Sequence, residues 1–163
     1  MAQVYVGMGS NIAPERHIRF GLTALRARFG PLDTSTIYAN PAVGFVGADF
    51  LNLVAGFETH LTVYEVVAGL RDIEAAYPSA GHGSKQESRA LDLDLLLYDD
   101  LVLRANGLRL PRDEITRHAF VLRPLAEVAG ARRHPVLGAT FTELWAAFDQ
   151  ARERLTPVVL AGQ

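Results

Sequence analysis

The sequence predicts an α+β domain in which helices pack on a mainly antiparallel sheet, and three observations carry that prediction. Short β-rich segments follow one another with little chain between them, which favours antiparallel neighbours. Between some of them lie stretches whose apolar residues recur at helical spacing, as Ile18, Leu22, Leu25 and Phe29 do. Neither Gly-x-Gly-x-x-Gly nor Gly-x-x-x-x-Gly-Lys-Ser/Thr, the loops that open parallel nucleotide-binding sheets, occurs anywhere.

Taken in order, Val4 to Met8 reads as the first strand, and Gly9-Ser10-Asn11 as a strand-to-helix turn with a cap. Pro14 suits the first turn of the helix that follows, and Gly30-Pro31 ends it. Thr34 to Tyr38 reads as a strand leading into an irregular loop, Asn40 to Ala48. In the next strand, Phe50 to Thr59, Leu51, Leu53, Ala55 and Phe57 share one face, and Phe50, Asn52 and Val54 the other. Thr62 and Glu65 form a capping box for a helix carrying Val66, Leu70, Ile73 and Tyr77, which stops at Pro78. A polar Gly/Ser loop runs from Pro78 to Arg89.

Leu91 to Tyr98 reads as a strand, with a hairpin through Asp99-Asp100 to Leu101–Leu103 and a second extended piece before Pro111. A short helical turn starts at Asp113, and a capping box at Thr140 and Glu143 opens a last helix. The tail beyond Leu155 is expected to be peripheral. The length of 163 residues suits a single domain spanning 1–163, and an apolar content of 49% is enough to bury a core.

A net charge of −2 and the absence of a basic stripe give no case for nucleic acid or an anionic membrane. With no cysteine, disulfides, thiolate zinc sites and Cys nucleophiles are excluded. A cysteine-free chain with no secretory leader pattern fits the cytoplasm. A monomer or weak homodimer is expected.

The chemistry concentrates at Leu91-Asp92-Leu93-Asp94-Leu95. On a strand Asp92 and Asp94 share one side, with Cβ atoms roughly 7 Å apart, while Leu91, Leu93, Leu95 and Leu97 take the other. Two carboxylates held there repel each other unless a cation intervenes. Mg2+ favours one or two carboxylates completed by phosphate oxygens. Solvated aspartates on a half-exposed strand are the plainer reading of the pattern. Phe50 and Asn52, alike on one face, suit a flat heterocycle: the ring stacks and the amide reads an edge. The plainer reading there is a core Phe beside a satisfied Asn.

Several segments together resemble the hydroxymethyl-dihydropterin pyrophosphokinases of folate biosynthesis. In order they are Gly9-Ser10-Asn11, Tyr38-Ala39-Asn40-Pro41, Phe50-Leu51-Asn52, Glu74, Arg89-Ala90-Leu91-Asp92-Leu93-Asp94, Leu110-Pro111 and Phe120-Val121-Leu122-Arg123-Pro124-Leu125. The similarity runs from about Val4 to Val128. It implies a ferredoxin-like, three-layer α/β/α domain that moves pyrophosphate from ATP to the hydroxymethyl group of a reduced pterin, releasing AMP.

By the same resemblance Asp92 and Asp94 hold two Mg2+ ions, and Phe50 and Phe120 sandwich the pterin. Asn52 bonds the pterin, and the backbone from Asn40 through Pro41 to Val43 reads its edge. Arg89 contacts phosphate as a catalytic group, and Glu74 lies on the nucleotide side. The sequence departs from the family where phosphate is handled. Gln86-Glu87-Ser88 stands in place of a Trp-Gly-Pro run, Pro111-Arg112 in place of Pro-His, and His118 in place of an Arg. Arg112 and His118 are read as having exchanged places, with Lys85 and Arg117 as further ATP-binding cations. The alternative these departures leave open is a diverged relative that binds a pterin-like heterocycle and metal but performs a different reaction or none.

Overall fold

Alternation of apolar residues along the first strand and the Phe50–Thr59 segment gives the sheet two buried faces, and each is covered by its own set of helices. The computed structural model describes residues 1–44, 46–76 and 90–161. The elements are β1 (Ala2–Ser10), α1 (Pro14–Phe29), β2 (Asp33–Thr34), β3 (Ile37–Asn40), β4 (Phe50–Thr59), α2 (Val63–Ala76) and β5 (Asp92–Tyr98). They continue with β6 (Leu103–Ala105), β7 (Leu108–Leu110), α3 (Glu114–Arg117), α4 (Ala119–Ala129), α5 (Phe141–Ala147) and β8 (Thr156–Val158).

The main sheet runs β5-β1-β4-β3-β8, with β2 also pairing β4, and every pairing in it is antiparallel. Each of the β1-α1-β3 and β4-α2-β5 units skips one strand, the split βαβ arrangement of ferredoxin-like domains. Ile18, Leu22, Leu25 and Phe29 of α1 join Val66, Leu70 and Ile73 of α2 over one face, against Val4, Val6, Leu53 and Leu93. Ile115, Leu122, Leu125 and Phe141 cover the other face, against Tyr5, Val54 and Leu96. The expected three layers are therefore present.

The capping boxes form as read. Thr62 N–H donates to Glu65 Oε1 at 2.9 Å and Glu65 N–H to Thr62 Oγ1 at 3.2 Å, with the same reciprocal pair between Thr140 and Glu143. The faces of β4 also fall as expected, Leu51, Leu53, Ala55 and Phe57 on the α1/α2 side and Val54 on the other.

Four expectations are corrected, and one helix appears where none was expected or excluded. No hairpin runs through Asp99-Asp100; among the described residues β5 pairs with β1 alone, and the hairpin is β6–β7, turning at Asn106-Gly107. Both turn residues have positive φ, 57° and 75°, the backbone that a two-residue hairpin turn of matching twist requires. Leu97 does not share the face of Leu93 and Leu95. The register against β1 slips between Tyr5 and Val6, so Leu96 is an extra residue and both Leu96 and Leu97 reach the α4 side.

The segment 119–129 is a helix, α4, with Pro124 inside it. An interior proline argues against helix on local grounds, and burial of Leu122 and Leu125 overrides that preference. Neither Ser10 nor Asn11 caps α1. Gly9 and Ser10 belong to β1, the N-cap is Ala13 at φ 41°, and His17 Nδ1 closes the turn on the Ile12 and Ala13 carbonyls at 2.5 and 3.1 Å. The tail is not peripheral: β8 extends the sheet beside β3, and Leu160 is 1% exposed in the α1/α2 core. The expected loop over 78–89, Tyr77 and Phe45 lie outside the described residues.

Candidate active site

The register of β5, β1 and β4 builds the site. Gly9 of β1 stands opposite Asp92 of β5 on one side and Asn52 of β4 on the other. Residues directly opposite each other on neighbouring strands share a sheet face, so Asp92, Gly9 and Asn52 form one row across it. Two steps of about 4.8 Å separate the outer strands, and glycine leaves the gap between the two polar side chains open. Gly7 stands likewise opposite Asp94, with Val54 on its other side. The two glycines are the floor of a cavity of about 320 Å3. Only glycine keeps it open beside Asn52: a Cβ at Gly9 would come 2.6 Å from Asn52 Oδ1.

One end of the cavity is lined by amides and aromatic rings, a chemistry that suits a planar heterocycle. Asn52, buried, donates through Nδ2 to Asn40 Oδ1 at 2.6 Å, and Asn40 donates through its own Nδ2 to the Pro41 carbonyl at 3.0 Å. This chain of amides fixes which way each one points. Phe50, Phe120 and Val43 line the same cavity. The Phe120 ring lies against the His118 ring, centroids 4.7 Å apart and planes 17° from parallel.

The other end is charged. Asp92, Asp94, Arg112, Glu114 and His118 all line it. Arg112 Nη2 lies 3.5 Å from Asp94 Oδ1, while its Nε donates to Glu114 Oε2 at 2.5 Å. Burial pushes the Asp94 carboxyl above the usual carboxylate range, and the charges of Glu74 and Glu114 push it the same way. Arg112 and a hydrogen bond with Asp92 oppose this without cancelling it. Among the described residues the lining thus carries more carboxylates than guanidinium groups, hard oxygen donors that suit Mg2+. Among the described residues no group of three His, Cys, Asp or Glu side chains gathers to enclose a metal. Two carboxylates leave the remaining positions to water and to oxygens of a ligand, as Mg2+ sites for polyphosphates do.

The 7,8-dihydro-6-hydroxymethylpterin-pyrophosphokinase (HPPK) family model matches residues 5–130, which include every strand and helix around this cavity. The chain belongs to that family. Two curated pyrophosphokinases named for 2-amino-4-hydroxy-6-hydroxymethyldihydropteridine are among its relatives. The protein of Aquifex aeolicus is 30% identical over 138 residues, 83% of this chain and 86% of its own length. That of Pseudomonas aeruginosa is 32% identical over 149 residues, 89% and 91% of the two chains. Among solved structures, a Plasmodium falciparum HPPK-DHPS triple mutant superposes with a TM-score of 0.71 at 12% identity, over 89% of this chain. This chain spans 44% of that longer protein, and the likeness shows the fold.

Against the expectations for an HPPK site, the cavity brings together Asp92, Asp94, Asn40, Val43, Phe50, Asn52, Arg112, His118 and Phe120. Pro41 contributes its carbonyl to the amide chain. Glu74 and Arg117 are not among the lining residues. Glu74 Oε2 accepts the Leu93 N–H of edge strand β5 at 2.8 Å, and Oε1 accepts from Arg71 at 2.8 Å. Arg117 is exposed on α3. Lys85 and Arg89 lie outside the described residues.

Two participants were not anticipated. Glu114 follows Arg112 closely enough to hold its guanidinium, a two-residue spacing the sequence displays. Glu153 accepts from His118 Nδ1 at 2.8 Å across 35 residues, and no local pattern could announce it.

Proposed function

We propose that the cavity over Gly7 and Gly9 is where this chain carries out the reaction of its family. That reaction transfers pyrophosphate from ATP to the hydroxymethyl group of 6-hydroxymethyl-7,8-dihydropterin, giving the pterin diphosphate and AMP in folate synthesis. The observation that carries the assignment to this cavity is the Asp92–Gly9–Asn52 row. It puts a heterocycle reader and a cation-binding carboxylate about two strand spacings apart on one rigid face, with an open floor between them.

Asn52 and Asn40 bond the pterin edge, aided by backbone from Pro41 to Val43, and Phe50 and Phe120 enclose its ring faces. The hydroxymethyl group then points along the row toward Asp92 and Asp94. These two carboxylates would hold Mg2+, two ions with ATP. When bound, Mg2+ neutralises charge on the polyphosphate oxygens and lowers the barrier to attack on the β-phosphorus. Arg112 and His118 contact phosphate oxygens, the exchanged counterparts of the family's His and Arg. Lys85 and Arg89, outside the described residues, are proposed as further cations for phosphate. Holding nucleophile and phosphorus in line accounts for much of the acceleration available to such a site. The partners are these two small molecules, and we expect a cytoplasmic monomer or weak homodimer. No helix among the described residues is long and apolar enough to cross a membrane.

The experiment is incubation with Mg2+, ATP and reduced hydroxymethylpterin, followed by mass analysis. AMP and the pterin diphosphate are expected in equal amounts, and only with Mg2+. Pterin binding without either product would sink the transfer reaction and leave a heterocycle-binding protein.

A further inference from the structure

Glu153 lies beyond residue 130, the last that the family model matches, yet it is bonded to a residue of the cavity. Its two oxygens have separate partners. Oε2 accepts from His118 Nδ1 at 2.8 Å, and Oε1 accepts the Ala119 N–H at 2.7 Å. The side chain of Glu153 is only 14% exposed. Helix α4 has no side-chain cap from its own N-cap residue His118 and no acidic residue in its first turn. Its first N–H is instead satisfied from a remote segment, an arrangement that also places a negative charge at the positive end of the helix. The segment itself is strapped down, since Arg152 Nη2 donates to the Arg117 carbonyl at 2.6 Å and its guanidinium lies 4.8 Å from the Phe148 ring centroid.

Resting on the reading above, we propose that Glu153 is a positioning residue of this active site, acting through His118. A carboxylate can only accept, so the proton on the facing ring nitrogen is held at Nδ1. Nε2 is then the nitrogen that faces the cavity. It bonds a phosphate oxygen as a second N–H donor when the ring carries both protons, with Glu153 as its counter-anion. The ring plane is fixed between the Glu153 bond and the Phe120 ring. Where the family's Arg brings a fork that needs no orienter, an imidazole has one usable nitrogen and two tautomers. The substitution to His118 therefore creates a requirement that Glu153 meets. The same carboxylate fixes the start of α4 one residue ahead of Phe120, so the phosphate side and the heterocycle side of the cavity are set from one point.

Glu153→Gln tests this. The amide keeps an oxygen for the Ala119 N–H but turns an NH2 toward His118. That donor needs a bare Nδ1, so it moves the single ring proton to Nε2 and removes the doubly protonated ring, leaving a neutral and weaker donor for phosphate. Wild-type and variant are compared by 15N shifts of the His118 ring and by steady-state kinetics. The expected result is a change of tautomer and a fall in kcat or kcat/KM for ATP of about tenfold to a hundredfold, the range for one charge-assisted contact. KM for the pterin should stay within about twofold. In a His118→Ala background Glu153→Gln should have no further effect, because the two act as one unit.

Multiplying losses in the double variant, or an unchanged tautomer, would overturn the proposal. So would wild-type kinetics for Glu153→Gln in an active enzyme. Thermal melting of Glu153→Ala, which loses both bonds, separates the contribution of the helix start. If the wild-type protein makes no pterin diphosphate, the reading of function fails instead. The ring shifts alone then decide whether Glu153 holds the tautomer.

Discussion

Asp94 is held on a half-buried strand where, among the described residues, the carboxylates of Asp92, Glu74 and Glu114 act on it and the Arg112 guanidinium lies 3.5 Å away. Burial, then the charges of Glu74 and Glu114, raise its pKa, so the folded protein keeps this proton to higher pH than the unfolded chain does. A raised carboxyl contributes stability below its unfolded pKa and loses it as pH rises through the folded one. At neutral pH the ionised side chain is therefore a burden on the fold. Asp94→Asn should abolish Mg2+-dependent turnover and yet melt no lower than wild type at pH 7, with its relative advantage shrinking toward pH 4. A variant that melts well below wild type at pH 7 would show that the carboxylate is a structural anchor.

Gly9 belongs to the same scale. A Cβ there meets Asn52 Oδ1 at 2.6 Å, so Gly9→Ala must push Asn52 off Asn40. Pterin affinity should fall by about 1–3 kcal/mol, the cost of unmaking one buried polar pair. Fluorescence titration checks it, and unchanged affinity would remove the Asn52–Asn40 pair from the binding site.

The connection between α4 and α5 shows how an element can depend on one protonation state. His134 Nδ1 accepts the N–H groups of Val136 and Leu137 at 3.2 and 3.1 Å, so the fold uses an imidazole with that nitrogen unprotonated. Burial, with a smaller contribution from Arg104, lowers its pKa below the ordinary imidazole value of about 6.5. A depressed folded pKa gives stability that is complete above the unfolded value and is lost as pH falls through the folded one. Thermal midpoints should drop between about pH 7 and pH 5 for this reason. His134→Asn, whose Oδ1 can accept the same two donors without titrating, should flatten that slope, and a slope left unchanged would place its origin elsewhere.

Elements with local signatures were legible: both capping boxes, α1, β4 and the Asp92/Asp94 face. The Asn106-Gly107 turn also has a local signature, but the leucines at 101 and 103 draw the expected hairpin to Asp99-Asp100, and the turn is missed. The Leu96 bulge, the helix around Pro124 and the docking of β8 depend on packing against distant strands, and no local pattern encodes them. Within the site the split is the same. Strand alternation displays Phe50 with Asn52, whereas the Glu153–His118 bond exists only once the tail folds back.

At the scale of the molecule, the sheet divides the core in two, and only one half carries the ligand-facing helix. Leu25 on α1 and Leu125 on α4 are both 0% exposed, each in the cluster of its own face. Truncating either to alanine removes the same methyl groups and leaves a cavity, so each should destabilise by about 2–5 kcal/mol in urea unfolding. Their effects on binding should differ. Leu125→Ala loosens the support under α4, which begins beside His118 and carries Phe120 in its first turn, and the pterin should bind more weakly. Leu25→Ala loosens α1, which packs on the face away from the cavity, and affinity should hold as long as the protein is folded. Equal losses of affinity would mean that the sheet transmits core defects to the site and is not the rigid platform on which the Asp92–Gly9–Asn52 row depends.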